Sequence, residues 1–552
     1  MGVMGLSNIL PSLAQSLSAP ANQLPTLPES LSPQPDPSKS PQIKLPERQL
    51  APSSIPSKLP EADVIVREIK VLGSTIFSEA ELQQAVASYL GKTAKIQDLL
   101  AIRAIITDFY VSRGYLTSGA FLPVQSQDFT NGIISIQIVE GELERIEISG
   151  LSRLQENYVR SRVAEAGTSP VNIRNLESGL QLLQLNPLFS SIRAELKSGR
   201  TVGRSVLEIE LKESNPWISS LTLENRESPS VGSLGLYGSL GYRNLTGLGD
   251  TLNIDVGGSE GTRKYGIRYD LPLNVKDELQ FRYNYNTSRI IEKPFSSIDI
   301  NSRSQALAIG YRYFISRNPN SELSLGLDFE RRESRDFLLG DIPFSFSVGA
   351  ENGRTVVNAL RFSQEWVERT NNRVLAARSQ FNLGLGTLGA TVNDLGTDGR
   401  FLSWQGQFQW VQALEKDTIS VFRLGTQLTS NSLLPTEQFG IGGVDTVRGY
   451  RQNLYTGDNG VVGTIEVRLP LLRNDVIGLI QVVPFIDAGN VWSNNPNSFS
   501  GFLASTGLGL RWEATSTLRA RLEWATQLVS PNVSGNAAQP QSIIFSLQFT
   551  GF

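Results

Sequence analysis

The chain has 552 residues, 50 of them Lys or Arg and 53 Asp or Glu, and it contains neither histidine nor cysteine. Those two absences exclude a disulfide framework, a thiolate nucleophile, a Cys/His zinc site and a histidine general base. The net charge of −3 supplies no basic field to gather nucleic acid, and no apolar run approaches the ~18–20 residues of a spanning helix, so any membrane crossing falls to strands.

Residues 1–60 hold 12 of the 27 prolines, set among Ser, Gln and Leu. Such a stretch buries too little apolar surface to offset its ordering entropy and is expected to be a disordered or polyproline-like tether. It makes a poor secretory leader. No Lys or Arg precedes Lys39, Pro11 interrupts the apolar run, and Ser18-Ala19-Pro20-Ala21 is only a weak cleavage site.

Two related units follow, at 61–141 and 142–214. The first opens with a strand from Val64 to Val71 closed by Gly73. A capping box at Ser78 and Glu81 leads a helix with Leu82, Val86 and Tyr89 on one face. A second helix carries Leu99, Ile102, Ile106 and Phe109, and strands at Thr117–Leu122 and Ile133–Val139 end the unit. The second unit repeats this order: a strand from Leu143 to Ser149, Gly150, a box at Ser152 and Gln155, two helices, then strands Ile192–Lys197 and Ser205–Lys212. Gly73 and Gly150 stand 77 residues apart, and the pattern is two copies of β-α-α-β-β.

Beyond Asn215 the period becomes two. Leu279, Phe281, Tyr283 and Tyr285 alternate with polar residues, as do Leu323, Leu325, Leu327 and Phe329, and Leu518, Ala520, Leu522 and Trp524. Sixteen such segments cover 215–552. Gaps after even-numbered segments run five to eight residues, while those after odd ones, from the fifth onward, run 13 or more. Sorting of loop length by parity is the mark of an up-and-down barrel in an outer membrane, and a soluble sandwich has no reason for it. Ile543, Phe545, Leu547 and Phe549 lead to a terminal Phe552, which a bulge would bring into the apolar row as an assembly signal.

Several motifs carry no chemistry. Gly257–Gly261 spells GxSxG, but at a hairpin tip and without a histidine to activate Ser259. Gly384, Gly386 and Gly389 spell GxGxxG with no helix to follow. No carboxylate cluster has metal spacing, so no catalytic residue, metal or cofactor is expected. The longest loop, 429–459, is different. It holds Val447, Arg448, Gly449 and Tyr450 behind clustered glycines, and Phe485, Asp487 and Gly489 follow on a later strand. With Ile486 facing lipid, parity turns Asp487 inward, where a guanidinium on an infolded loop forms a two-pronged pair. In a water-filled lumen that pair is expected to contribute only ~1 kcal/mol. A solvated Arg beside a stray rim Asp is the bland alternative.

With Val447–Tyr450 as VRGY and Phe485–Gly489 as FxDxG, the sequence resembles the TpsB transporters of two-partner secretion, the haemolysin secretion/activation group of the outer-membrane-protein-85 superfamily. The resemblance spans roughly 64–552 and implies two POTRA domains ahead of a sixteen-stranded transmembrane β-barrel. It implies export of a large, β-rich TpsA-like exoprotein from periplasm to cell surface, without a nucleotide. It further implies outer-membrane lipid and the barrel-assembly machinery as partners, and a transporter that functions as a monomer. POTRA edge strands Thr117–Leu122 and Ile192–Lys197 would receive the exoprotein by strand addition. Inward parity then gives Arg282, Arg312, Arg423, Glu466, Arg468, Arg519 and Arg521 as lumen-lining residues. An assembly factor of the same superfamily is the alternative, and a passive porin leaves the repeats idle. In one respect the chain departs from the family: residues 1–10 are too short and weak for the plug helix that members often carry.

Overall fold

A computed structural model describes residues 43–44, 63–123, 127–394, 396–415, 417–494, 500–533 and 540–551. They fall into two compact units, one within Asp36–Ser214 and the other within Asn215–Phe552. Phe552 and most of the tether lie outside the described residues.

In the first unit β1 (Ile43–Lys44) precedes two successive α+β repeats. One comprises β2 (Val64–Ile65), β3 (Glu68–Leu72), α1 (Glu79–Ala85), β4 (Thr93–Ala94), α2 (Ile96–Ser112), β5 (Gly119–Phe121) and β6 (Ile133–Val139). The other comprises β7 (Glu142–Ser149), α3 (Glu156–Ala166), α4 (Ile173–Leu185), β8 (Phe189–Ser198) and β9 (Arg204–Glu213). Each repeat packs its helices on one sheet face, so each has its own core. Leu82, Leu99, Ile102, Ile106 and Tyr110 meet Ile69, Val71, Ile134 and Ile136 in the first, all buried. Val159, Val163, Leu176, Leu180 and Leu183 meet Ile192, Leu196, Leu207 and Ile209 in the second. Fully burying one such aliphatic side chain contributes ~1.5–3 kcal/mol.

Gly73 and Gly150 mark the same point of each repeat. Both sit at positive φ, 83° and 84°, and a Cβ at Gly150 would lie 2.0 Å from the Leu211 carbonyl oxygen. After each glycine the chain turns over a carboxylate from the end of the repeat. Glu140 accepts from the Thr75 and Ile76 amides and from the Tyr110 hydroxyl. Glu213 accepts from the Ser152, Arg153 and Leu154 amides at 2.8, 2.9 and 3.0 Å. Here the expected capping box of Ser152 and Gln155 is corrected. Gln155 is itself the N-cap of α3 and makes no side-chain cap bond, because Glu213 has already gathered the amides of that turn. The box at Ser78 and Glu81 is present.

Burial raises the Glu213 carboxyl pKa, but the three amides and Arg153 more than offset this and leave it below the usual carboxylate value. A depressed folded-state pKa adds stability above the unfolded value of ~4.3 and loses it as pH falls below. Protease resistance of segment 142–213 in the full chain is therefore expected to weaken as pH drops from about 5 to 3. Glu213→Gln is expected to start weaker and respond less to pH over that range. An unchanged acid profile in the variant refutes the assignment.

The sheet orders are β3-β6-β5 and β1-β8-β9-β7. The tether is thus not wholly without structure: β1 pairs in parallel with β8, Ile43 opposite Ala194 and Lys44 opposite Glu195. An edge strand presents unpaired N–H and C=O groups, and this one is met by the chain's own segment.

The second unit is a closed antiparallel barrel of sixteen main strands, from Trp217–Glu224 to Ile543–Gly551. Those two close the ladder, with Ser219 opposite Gly551 and Glu224 opposite Ser546. Short turns, such as 319–320, 370–372 and 475–477, gather at one end and the long loops at the other. Its polarity is inverted relative to a soluble core. Ile309, Leu327, Ile465, Ile486, Leu508 and Leu522 are exposed on the outer wall, whereas Gln280, Asn358, Asn382, Gln405 and Gln427 are buried inside. An apolar outer band around a polar interior is what lipid requires of a barrel.

Candidate functional site in the barrel lumen

The long loop folds into the barrel as a hairpin. Phe439–Ile441 pairs with Tyr455–Gly457, and Phe439, Ile441, Val447, Tyr450 and Tyr455 form a buried cluster with Val462, Val491 and Leu503 of the wall. The structure brings Arg448 and Asp487 together. Nε and Nη2 of Arg448 donate to the two carboxylate oxygens at 2.8 and 2.9 Å, and its backbone amide reaches Asp487 at 3.1 Å. Nη1 donates to Glu523 at 3.3 Å and lies 3.7 Å from Glu466. The Phe485 ring lies 3.4 Å beneath the guanidinium carbon, a cation–π stack.

Gly489 completes the fit. A Cβ there would approach the Cγ2 atoms of Ile441 and Val447 to 3.2 Å, so the bare backbone lets the loop lie against the strand. Tyr450 ties the tip to two further segments, its hydroxyl lying 2.8 and 2.7 Å from the carbonyl oxygens of Ala504 and Val529, which share its one proton. Gly449 accepts from the Gln527 side chain at 2.9 Å. The expected ~1 kcal/mol for the Arg448–Asp487 pair needs correction, since these side chains are 6% and 0% exposed. The infolded hairpin excludes water around them, and breaking a buried pair costs ~3–5 kcal/mol because a charge is stranded.

Sequence reasoning missed the anchor on the other side. Glu437, 1% exposed, lies 2.8 Å from Nη2 of Arg361 and 3.4 Å from Nη1 of Arg332. Arg361 also pairs with Glu330 at 2.6 Å and donates to Asn382 at 2.9 Å. These partners lie on the seventh, eighth and ninth barrel strands, while Asp487 and Glu523 lie on the thirteenth and fifteenth. Arg451 pairs with Glu292 at 2.8 Å, and Asp445 with Arg226. The hairpin is therefore fastened across the lumen at four places. No local pattern signals these pairs; the only cue was an excess of charge in strands whose alternate residues are apolar.

The remaining expected lumen residues are spread along the wall. Arg282 pairs with Asp328 at 2.7 Å, Arg312 with Glu365 at 3.3 Å, and Arg423 and Arg468 with Glu466 at 3.4 and 2.6 Å. Arg519 and Arg521 face a cavity of about 720 Å³. Ser259 of the GxSxG run is buried at a hairpin, donating to the Val231 carbonyl and lying 3.0 Å from the Thr262 hydroxyl, so it is a turn residue.

This is the setting in which relatives become informative. The family model described as haemolysin secretion/activation protein ShlB/FhaC/HecB matches residues 203–512, and the ShlB-type POTRA domain model matches 64–141. The chain belongs to the haemolysin secretion/activation family. It is 24% identical to the outer membrane transporter CdiB of Dickeya dadantii, over 84% of this chain and 82% of that one. It is 21% identical to the hemolysin transporter ShlB of Serratia marcescens, over 85% and 83%. The solved structure of CdiB from Escherichia coli shares the fold, with a TM-score of 0.71 and 20% identity over 100% of this chain and 99% of that one. BamA from Haemophilus ducreyi also shares it, at TM-score 0.52 and 14% identity over 88% and 100%.

The protein is thus an outer-membrane translocator with POTRA domains in the periplasm and a barrel in the membrane, and it serves a secreted protein partner. The chain enters the first barrel strand at Trp217 from the POTRA side, so the short turns face the periplasm and the long loops the cell exterior.

Proposed function

We propose that the protein exports one large β-rich exoprotein by two-partner secretion, receiving it on a POTRA edge and passing it through the barrel without a nucleotide. The observation that carries this reading is the hairpin of 430–458, fastened to both sides of a polar lumen by ion pairs, those of Arg448 with Asp487 and Glu437 with Arg361 being buried. Strand addition gives the entry step. Among the described residues β5 pairs on one side only, with β6, whereas β8 already holds β1. β3 is the other edge of that sheet; the edge of β5 is the one expected to receive the exoprotein first, and an exoprotein strand reaching β8 must displace Ile43–Lys44.

Deleting Val64–Glu140 is expected to abolish secretion of the cognate exoprotein while the barrel still shows heat-modifiable migration on a gel. Normal export by that deletion refutes docking on the first repeat. Trimming residues 1–59 is expected to leave the barrel folded by the same gel criterion, because its sixteen main strands all lie within Trp217–Gly551. An assembly factor differs in outcome: its loss depletes many barrels, whereas loss of this protein silences one secreted partner.

A further inference from the structure

The outer wall carries a row of arginines where the apolar band ends. On the sixth, seventh and eighth barrel strands Ile309, Phe329 and Leu360 stand side by side and face outward. Nearer the cell exterior, on the same face, Arg303 stands opposite Arg335 and Arg335 opposite Arg354. Ser302, Ser304 and Ser334, next to them in sequence, are buried on the inner face, and the Arg335 and Arg354 side chains are 57% and 43% exposed. Tyr313 marks the other end of the outward face of the sixth strand. From there to Arg303 is ten residues, a rise of ~25 Å at ~3.3 Å per residue and ~40° of tilt, which is the height of the apolar band. One step below the row, Tyr285 stands opposite Gln305 and beside Tyr265, as the aromatic girdle at a membrane interface does.

Like charges directly opposite each other on neighbouring strands repel, so a row of three is not what barrel stability selects. One carboxylate serves it. Glu333 lies 2.9 Å from Arg335, 2.9 Å from Arg354, and 3.7 Å from Arg331, which stands one outward position nearer the lipid. Among the described residues Arg303 has no carboxylate partner; its guanidinium carbon lies 5.1 Å from the centre of the Phe337 ring. Asp299 is held by Arg289 at 3.5 Å, and Asp341 and Glu351 lie on the loop beyond the strand ends. What sets the row apart is its placement, not a sum of charges. We propose that Arg303, Arg331, Arg335 and Arg354 bind the phosphorylated sugar head group of a glycolipid in the outer leaflet. A phosphate monoester carries up to about two negative charges and takes forked guanidinium bonds, so it relieves the repulsion that Glu333 alone leaves. Leu388 supplies an apolar neighbour. It is 68% exposed in a left-handed conformation, φ 55°, and its carbonyl accepts from Arg331 at 2.7 Å, which sets it where acyl chains begin. Such a site needs only the barrel's place in the outer membrane, whatever is exported.

Full-length protein in detergent micelles, titrated with diphosphoryl lipid A and followed by native mass spectrometry, tests the site. The parent is expected to retain this lipid, and to bind its dephosphorylated form and phosphatidylglycerol at least tenfold more weakly. Arg303→Gln with Arg335→Gln leaves Glu333 its other two arginines and touches no anchor of the hairpin. That variant is expected to lose at least tenfold in binding of diphosphoryl lipid A with heat-modifiable migration intact. Arg354→Gln alone is the milder second variant, expected to lose at least threefold. Arg317→Gln, at the periplasmic end of the sixth strand, is expected to bind as the parent does. Undiminished binding by both row variants, or an equal loss in Arg317→Gln, overturns the site. Equal binding of phosphatidylglycerol overturns the sugar phosphate as its ligand, and displacement of the lipid by an equal concentration of inorganic phosphate overturns the lipid as its source.

Discussion

Arg448→Ala is expected to reduce secretion at least tenfold while the barrel still inserts and shows normal heat-modifiable migration. The closed ladder of strands makes no use of the guanidinium, so assembly has no reason to fail. The hairpin tip does use it. Removing the side chain strands Asp487 and weakens the support of Glu523, both buried. Lost anchorage of ~3 kcal/mol shifts the balance between loop positions more than a hundredfold. Arg448→Lys is expected to recover only part of the export, since an ammonium cannot span both oxygens of Asp487, reach Glu523 and stack on Phe485 together. Export at the parental rate by Arg448→Ala, measured as exoprotein in the medium per unit of folded barrel, overturns the positioning role.

What could be read from the sequence divides by distance along the chain. Period-2 alternation is local, so the outward placement of Ile486 and the inward placement of Asp487 follow from neighbouring residues. Turn length is local too, and so are the glycines that open each repeat. Glu437 and Arg361 are 76 residues apart, and Glu213 and Ser152 are 61 apart. Nothing near any of the four announces its partner. The misplaced cap at Ser152 has the same origin, because a distant carboxylate took the amides that a local side chain was expected to take. Burial of Arg448 was equally hidden. Parity shows that a residue faces the lumen, but whether that part of the lumen is wet depends on Phe439, Ile441 and Tyr455 being folded into it.

Locking the hairpin to the wall is expected to stop export reversibly. With anchors on the seventh to ninth strands and again on the thirteenth to fifteenth, the hairpin crosses the space that an extended polypeptide needs. Passage therefore requires at least one arm to leave. A disulfide needs Cβ atoms ~3.5–4.5 Å apart, and a Cβ at Gly489 would lie 3.2 Å from Cγ2 of Val447. A sulfur at 447 takes the place of such a γ atom, so Val447→Cys with Gly489→Cys brings the two side chains within bonding reach and leaves Arg448 and Asp487 in place. The chain has no cysteine of its own, so any crosslink is the intended one. Oxidised cells are expected to carry a folded, heat-modifiable and export-silent barrel. A membrane-permeant reductant is expected to restore secretion, and each single-cysteine variant to export alike in both redox states. The smaller side chain at 447 relieves the close approach to 489, so the double variant is the better packed test. Silence only when the bond is closed makes the VRGY arm the moving part. Undiminished export by the crosslinked protein leaves that arm on the wall throughout and transfers the motion to the opposite anchor, where Glu437 must part from Arg361 and Arg332.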